Sequence, residues 1–322
     1  MPEFDPDVAA MLAARAAAPP IPKAHEGGLD QMRGLLESMP RPPAPDVATS
    51  RDTTIEGPHG PLRLRLYHPA SVPDGPLPVV VYFHGGGMVM GSIDSFDSVA
   101  RRLCDGCAAI VVSVDYRLAP EHSYPVGNDE CYAATVWAYE HAPEFGGDPA
   151  RIAVAGDSAG GSLAAAVALR ARAEGPQLAL QMLFYPGLER ASVSRASMSE
   201  FADSPFLSHA DVVWMKAQYL GADESRDTEQ GVPSKAVDLA GLPPAIVVTA
   251  ELDPLRDGGE AYGERLRAAS VSTVLLRYPG VGHGFMMQAG WIARGTQAFD
   301  EACALARVRL RSSERETAQA GS

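Results

Sequence analysis

A serine stands between a predicted strand and a predicted helix, and this junction constrains the fold more than any other part of the chain. Residues 151–155 form a short run with β-branched members, and the alanine-rich residues 162–173 indicate a helix. Between them lies the pattern Gly-x-Ser-x-Gly, written here as Gly156-Asp157-Ser158-Ala159-Gly160. The glycines allow a sharp turn where Cβ atoms would clash. The turn exposes the Ser158 hydroxyl at a helix N-terminus, whose partial positive charge favours a developing anion.

The rest of the chain alternates short apolar runs with longer helical segments. We predict strands at residues 51–56, 62–67, 78–83, 110–114, 151–155, 180–185, 245–249 and 273–278. We predict helices at residues 98–106, 129–141, 158–173, 257–269 and 291–310. Repeated strand–helix–strand order is typical of an α/β fold, so we expect a mostly parallel eight-stranded sheet with helices on both faces. The first two strands form an antiparallel hairpin at one edge.

Two segments fall outside this alternation and predict a helical cap. Residues 1–45 contain two predicted helices, at 6–18 and 29–39, and Pro19-Pro20-Ile21-Pro22 ends the first. About sixty residues separate the strands at 180–185 and 245–249, a length that is generally functional in a compact domain. Only residues 210–220 look firmly helical there. We therefore predict a cap from residues 1–45 and 187–226 over a catalytic domain of residues 46–186 and 227–322.

Composition excludes several classes of partner. Lys and Arg number 27 and Asp and Glu number 40, so the net charge is −13. This acidity argues against nucleic acid and against anionic membrane surfaces, since both require basic patches. No apolar run approaches the ~18 residues that cross a bilayer. Residues 1–7 are acidic, whereas a signal peptide begins with basic residues. We therefore predict a cytoplasmic protein without membrane insertion.

The cysteines do not indicate a metal or redox site. Four cysteines without an export signal are most simply reduced thiols. Cys104 and Cys107 form a C-x-x-C within the predicted helix at 98–106, but no second pair accompanies them. We interpret them as packing residues and predict no metal.

Acyl transfer by a serine requires a base, an orienting carboxylate and donors for an oxyanion. In this type of sheet the order along the chain is Ser, then Asp or Glu, then His. His283 follows the last predicted strand in a glycine-flanked loop, whereas His209 lies at a predicted helix start. Asp253 follows the strand at 245–249, at the sheet edge where α/β proteins place their site residues. Glu251 is the rival acid or a supporting partner.

The oxyanion donors are predicted at His84-Gly85-Gly86-Gly87, directly after the apolar strand at 78–83. Three adjacent glycines remove every side chain, so that backbone N–H groups can point into a cleft. Ala159, the residue after the nucleophile, is expected to supply a further N–H.

Taken together, these motifs resemble those of the hormone-sensitive-lipase branch of the α/β-hydrolases, the bacterial carboxylesterases called family IV. The resemblance is carried by four blocks: residues 84–87, residues 115–121 (Asp-Tyr-Arg-Leu-Ala-Pro-Glu), residues 156–160, and residues 253–257 followed by His283-Gly284-Phe285. It implies an α/β-hydrolase fold with a catalytic triad of Ser158, Asp253 and His283. It implies oxyanion donors at the amides of Gly86, Gly87 and Ala159. His84, Gly85, Asp157 and Glu251 are expected to support the site.

The resemblance implies a serine carboxylesterase that hydrolyses short-to-medium acyl esters through an acyl-enzyme, with no metal or organic cofactor. The same triad also serves amidases, lactonases and carbamate hydrolases. Relatives that lose a triad residue act as small-molecule receptors, but all three residues are present here. The expected partner is a small ester, and a homodimer is left open because dimers are common among the relatives.

Overall fold

The computed structural model describes residues 3–18, 23–71, 75–224 and 227–320, the last nine of these by their backbone alone. Eight strands form one sheet in the order β1-β2-β4-β3-β5-β6-β7-β8. They are β1 (Val47–Gly57), β2 (Gly60–Pro69), β3 (Leu77–Phe83), β4 (Ile110–Val114), β5 (Gly147–Asp157), β6 (Leu180–Phe184), β7 (Ala245–Leu252) and β8 (Thr273–Gly282). The pairs β1–β2 and β2–β4 are antiparallel, and the remaining pairs are parallel. The predicted fold class is confirmed.

Helices cover both faces of the sheet, as predicted. They are α1 (Pro6–Ala16), α2 (Leu29–Ser38), α3 (Asp97–Cys107), α4 (Val126–His141), α5 (Ala159–Glu174), α6 (Ala196–Glu200), α7 (His209–Leu220), α8 (Arg256–Ala268) and α9 (Ala293–Ala320). Alternate residues of β3 belong to two separate apolar clusters: Val79 and Val81 pack with α4 and α5, while Val80 and Tyr82 pack with α3 and α9. This alternation follows from the two-residue period of a strand that is buried on both faces.

The structure corrects two predictions about helices. The last helix continues from Ala293 to Ala320, beyond the predicted end at residue 310. Between β6 and α7, where no helix was expected, α6 forms a short turn from Ala196 to Glu200. Tertiary hydrogen bonds hold this turn: the Ser197 amide donates to Asp257 Oδ2 (2.8 Å), and the Ser197 hydroxyl donates to the Pro254 carbonyl (2.9 Å). Local sequence cannot report such partners. The predicted helix end at residues 19–22 lies outside the described residues.

The N-terminal segment is attached to the sheet and to the long β6–β7 connection. The Asp5 amide donates to the Gly280 carbonyl at the end of β8 (2.8 Å), and Val8 is buried in the apolar cluster on the α3 and α9 face of the sheet. His25 Nδ1 lies 2.7 Å from Asp211 Oδ1 on α7. These contacts join the N-terminal segment to the end of β8 and to α7, and the division into cap and catalytic domain stays a prediction.

None of the helices in the described ranges combines the length and the apolar character needed to cross a bilayer.

Helix α5 begins very close to β3, and this approach depends on Gly160. A Cβ atom at Gly160 would overlap the Phe83 carbonyl and lie 2.7 Å from the His84 carbonyl oxygen, both of them backbone groups. Neither can move without shifting the strand that carries the glycine loop.

We expect Gly160→Ala to lower the free energy of unfolding by about 3 kcal/mol or more, because overpacking against backbone cannot be relieved by a rotamer change. Gly34→Ala is the matched control, since Gly34 is exposed on α2 and nothing lies within 4 Å of its Cβ position. Alanine favours helix there by up to about 1 kcal/mol. Urea unfolding measures both; equal stability of the two variants would contradict the close approach.

Candidate active site

The turn between β5 and α5 holds Ser158 in a backbone conformation that L-residues rarely adopt. Its φ is 54° and its ψ is −115°, a region that costs about 1–3 kcal/mol for a residue other than glycine. The Ser158 amide donates to the Phe184 carbonyl of β6 (2.8 Å), and the Ser158 carbonyl accepts from the amides of Ser162 and Gly187 (both 3.2 Å). These bonds fix the turn, and they leave the hydroxyl partly exposed at the start of α5.

His283 joins Ser158 to Asp253 in one chain of hydrogen bonds. His283 Nε2 lies 2.7 Å from Ser158 Oγ, and His283 Nδ1 lies 2.8 Å from Asp253 Oδ2. With the Nδ1 proton donated to the carboxylate, Nε2 is free to accept the serine proton. Asp253 is buried, and its other oxygen accepts from the Leu255 amide (2.9 Å). The structure therefore brings together all three residues of the predicted triad.

Glu251, the rival acid in the sequence, faces a different group. Its Oε2 accepts from the Gly280 amide (2.8 Å) near the end of β8. Its main-chain carbonyl accepts from Arg256 Nη1 (2.8 Å). Glu251 thus contacts the backbone that leads to His283, whereas Asp253 contacts the imidazole itself.

The glycine loop after β3 is folded tightly beside Ser158. Gly86 and Gly87 have φ angles of 107° and 67°, which favour glycine. The Gly86 carbonyl accepts from the amides of Val89 (3.1 Å) and Met90 (3.0 Å) and closes the turn. Among the residues that the structure describes, none accepts a hydrogen bond from the amides of Gly86, Gly87 or Ala159. These three N–H groups are therefore available to an oxyanion.

His84 supports this loop from beneath. Its Nδ1 lies 2.8 Å from the Gly85 carbonyl, and its ring stacks on Tyr116 with a centroid separation of 4.4 Å. The Tyr116 hydroxyl donates to the His84 carbonyl (2.7 Å). Complete burial lowers the pKa of His84, so the ring is neutral and acts as a packing and hydrogen-bonding group.

Asp157 ties the glycine loop to the serine turn. Its Oδ1 accepts from the Tyr82 hydroxyl (2.6 Å) and from the Gly85 amide (3.0 Å). Its Oδ2 is buried and has no hydrogen-bond partner among the described residues. Burial raises the pKa of Asp157 to about 6, although the bond from Tyr82 and the nearby His283 oppose the shift. The carboxylate is therefore ionised at neutral pH at a cost in stability.

Two cavities flank the serine. The smaller, about 40 Å³, is lined by Ala159, Gly187 and Lys216. The larger, about 280 Å³, is lined by His283 and reaches Trp291 at its rim. Both include Ser158, so a bound molecule can extend to either side of the hydroxyl. The lysine in the smaller cavity was not predicted as a site residue.

Two contacts of the site were missed by sequence reasoning. The ring of Tyr185 meets the His283 imidazole edge-on, with centroids 5.0 Å apart. Lys216 lies on the same stripe of α7 as Val212, Met215 and Tyr219, spaced as one helix face. The signal for Lys216 was a lysine within an otherwise apolar stripe of the helix. Nothing in the sequence indicated the contact between Tyr185 and His283.

Comparisons with known proteins agree with this geometry. A family model described as the alpha/beta hydrolase fold matches residues 80–287. The carboxylesterase NlhH of Mycobacterium tuberculosis is 44% identical over 288 residues, which cover 87% of this chain and 89% of the relative. The esterase LipI of the same species is 42% identical over 288 residues, which cover 88% of this chain and 90% of the relative. A hyperthermophilic esterase of the archaeon Pyrobaculum calidifontis superposes with a TM-score of 0.88 at 36% identity, covering 95% of this chain and 98% of its own.

We expect Asp157→Asn to raise the free energy of unfolding at pH 7.5 by about 1–3 kcal/mol. The pKa of folded Asp157, about 6, lies above the ordinary 3.8, so the folded state binds the proton more tightly than the unfolded state. The burial cost of the anion is therefore present above pH 6 and disappears as the pH falls towards 4. The asparagine oxygen can still accept from Tyr82 and Gly85.

Urea unfolding at pH 4.5, 6 and 7.5 measures this difference, and Asp203→Asn, at an exposed position, is the matched surface control. A variant that is less stable than wild type by the same amount at every pH would contradict the argument.

Proposed function

This chain belongs to the hormone-sensitive-lipase-like branch of the α/β-hydrolases, and we propose that it hydrolyses carboxylic esters through an acyl-enzyme on Ser158. The observation that carries the proposal is the chain of hydrogen bonds from Ser158 Oγ through His283 to Asp253, at 2.7 and 2.8 Å. The amides of Gly86, Gly87 and Ala159, which have no acceptor among the described residues, also support the proposal. The names of the esterase relatives support the same chemistry.

The reaction follows from where these atoms lie. His283 Nε2 accepts the proton as Ser158 Oγ attacks the ester carbonyl, and the buried Asp253 stabilises the imidazolium that forms. The three amides bind the oxyanion, and losing one such donor typically costs about 3 kcal/mol of transition-state stabilisation. The imidazolium then protonates the leaving alcohol. Water attacks the acyl-enzyme with His283 again as base, which releases the acid and restores the serine.

The two cavities can be assigned from the position of the proton donor. Because His283 must reach the leaving oxygen, the alcohol part of the ester belongs in the larger cavity that His283 lines. The acyl part then belongs in the smaller cavity beside Ala159 and Gly187. A volume of about 40 Å³ has room for roughly three water-sized groups. This supports a short acyl chain.

We propose the same cap as the sequence predicts, because α2 and α7 contribute Met32 and Met215 to the cavity walls. Free thiols at Cys104, Cys107, Cys131 and Cys303 support a cytoplasmic location, where thiols stay reduced. The family resemblance is the support for a homodimer.

Ser158→Ala and Asp253→Asn test the triad. We expect each to lower kcat by about 10⁴-fold or more, since the first removes the nucleophile and the second removes the charge that orients the imidazole. Glu251→Gln is the matched control, because its amide oxygen can still accept from Gly280, and we expect less than about a tenfold loss. Hydrolysis of 4-nitrophenyl butanoate and labelling by a fluorophosphonate provide the measurements.

If Glu251→Gln were as inactive as Asp253→Asn, or if Ser158→Ala kept wild-type activity, the assigned roles would be wrong.

A series of 4-nitrophenyl esters with acyl chains from two to sixteen carbons tests the cavity assignment. We expect kcat/KM to be greatest at short chains and to fall by at least about tenfold beyond eight carbons, because a longer chain has no room without displacing α7. Enlarging the cavity with Met215→Ala should move the maximum to longer chains. A wild-type maximum at eight carbons or more would contradict the assignment.

A further inference from the structure

The acyl-side cavity contains a cation that the proposed mechanism does not use. Lys216 lies on the inner stripe of α7 with Val212 and Tyr219, and it lines the cavity together with Ser158. Its Nζ donates to the Gly187 carbonyl at 2.5 Å. An ammonium group has three N–H donors, and the Gly187 carbonyl accepts one of them.

The carboxylates nearby are already paired with other groups. Asp227 pairs with Arg190 and Lys235, and Glu189 pairs with Arg195. Within residues 3–18, 23–71, 75–224 and 227–320, no carboxylate forms an ion pair with Lys216. A cation taken out of water without a counter-ion is costly, and a ligand carboxylate would offset that cost.

Lys216 is also fixed relative to the nucleophile. The Gly187 carbonyl that accepts from Lys216 accepts from the Ser162 hydroxyl as well (2.5 Å), and the Gly187 amide donates to the Ser158 carbonyl (3.2 Å). The ammonium group is thus linked to the backbone of the reacting serine through one residue, Gly187. His283 does not line this cavity, so the cation faces the acyl group and not the leaving alcohol.

We propose that Lys216 binds a carboxylate at the far end of the acyl group, so that the preferred substrates are half-esters of short dicarboxylic acids. The inference rests on the proposed ester hydrolysis at Ser158 and names its substrate class. Cavity size limits the acyl group to one or two methylenes between the ester carbonyl and the carboxylate, since about 40 Å³ holds roughly three water-sized groups.

Two pairs of ethyl esters isolate the charge. Ethyl hydrogen succinate is compared with ethyl levulinate, and ethyl hydrogen malonate with ethyl acetoacetate; within each pair a carboxylate is replaced by a methyl ketone of similar shape. Product acid is titrated at constant pH. Lys216→Met removes the charge but keeps most of the stem, Lys216→Arg keeps the charge, and Lys23→Met is the control at an exposed lysine.

The quantity to compare is the kcat/KM of the anionic ester divided by the kcat/KM of its neutral partner. We expect this ratio to be about 10- to 100-fold lower in Lys216→Met than in wild type, in at least one pair. Dividing the ratio of the variant by the ratio of wild type removes the difference in intrinsic reactivity between the two esters. Lys216→Arg is expected to keep most of the ratio, and Lys23→Met to leave it unchanged. A purely structural role, in which Lys216 only holds the Gly187 carbonyl, would change both esters alike.

The ratio is also expected to depend on pH. Burial and the neighbouring Arg190 lower the pKa of Lys216 to about 8, while Glu189 and Asp227 oppose the shift. Burial also raises the pKa of Tyr219 well above its ordinary value, so the phenol stays neutral. Lys216 is therefore charged below pH 8 and loses its charge above it. The wild-type ratio should fall as the pH rises through about 8, whereas the ratio for Lys216→Met should stay flat.

The outcomes separate the inference from the proposed function. If wild type hydrolyses the neutral esters and is labelled at Ser158, but Lys216→Met leaves both ratios unchanged or lowers both members of each pair equally, the inference is wrong and the esterase stands. If no ester is hydrolysed and Ser158 is not labelled in folded protein, the proposed function fails first.

Discussion

The strained backbone of Ser158 is the constraint on which the rest of the site depends. Nothing local favours a φ of 54° for serine. The turn forms because the Phe184 carbonyl of β6 accepts a hydrogen bond from the Ser158 amide, and because glycines stand two residues before and two residues after the serine. At Gly156 a Cβ would overlap the Gly160 carbonyl, and at Gly160 it would overlap Phe83. The strain of about 1–3 kcal/mol is offset by a sheet that is already assembled on both sides. The nucleophile is therefore presented by the sheet as a whole.

Two buried carboxylates stand beside this turn and act on different groups. Asp253 meets the imidazole of His283 and the Leu255 amide, so both of its oxygens are hydrogen-bonded. Asp157 meets a phenol and the Gly85 amide, and one of its oxygens has no partner among the described residues. It thereby connects the residue before the nucleophile to the loop that carries Gly86 and Gly87. Because the proposed oxyanion donors come from both places, the hydrogen bonds of the Asp157 side chain help to set their spacing.

Sequence patterns predicted the sheet, the helices on its faces and the residues that meet at Ser158, because period-2 burial, glycine spacing and strand-end positions are local signals. They did not predict α6, whose Ser197 depends on Asp257 and Pro254 far along the chain. They left Glu251 and Asp253 as rivals, because both follow one strand and only tertiary geometry shows which faces His283. The raised pKa of Asp157 was equally out of reach, since burial is a property of the packed molecule.

The parts with the weakest sequence signal form the walls of the two cavities, and this has a physical reason. The two predicted cap segments meet through individual side-chain contacts, such as His25 with Asp211 and Phe4 with Phe206, rather than through a repeated pattern. Substrate preference can therefore change without disturbing the sheet. Lys216 differs in its partner, because its ammonium group donates to the Gly187 carbonyl while the Gly187 amide donates to the Ser158 carbonyl. The position of this charge relative to Ser158 is therefore set through one residue, Gly187, rather than by the cap as a whole.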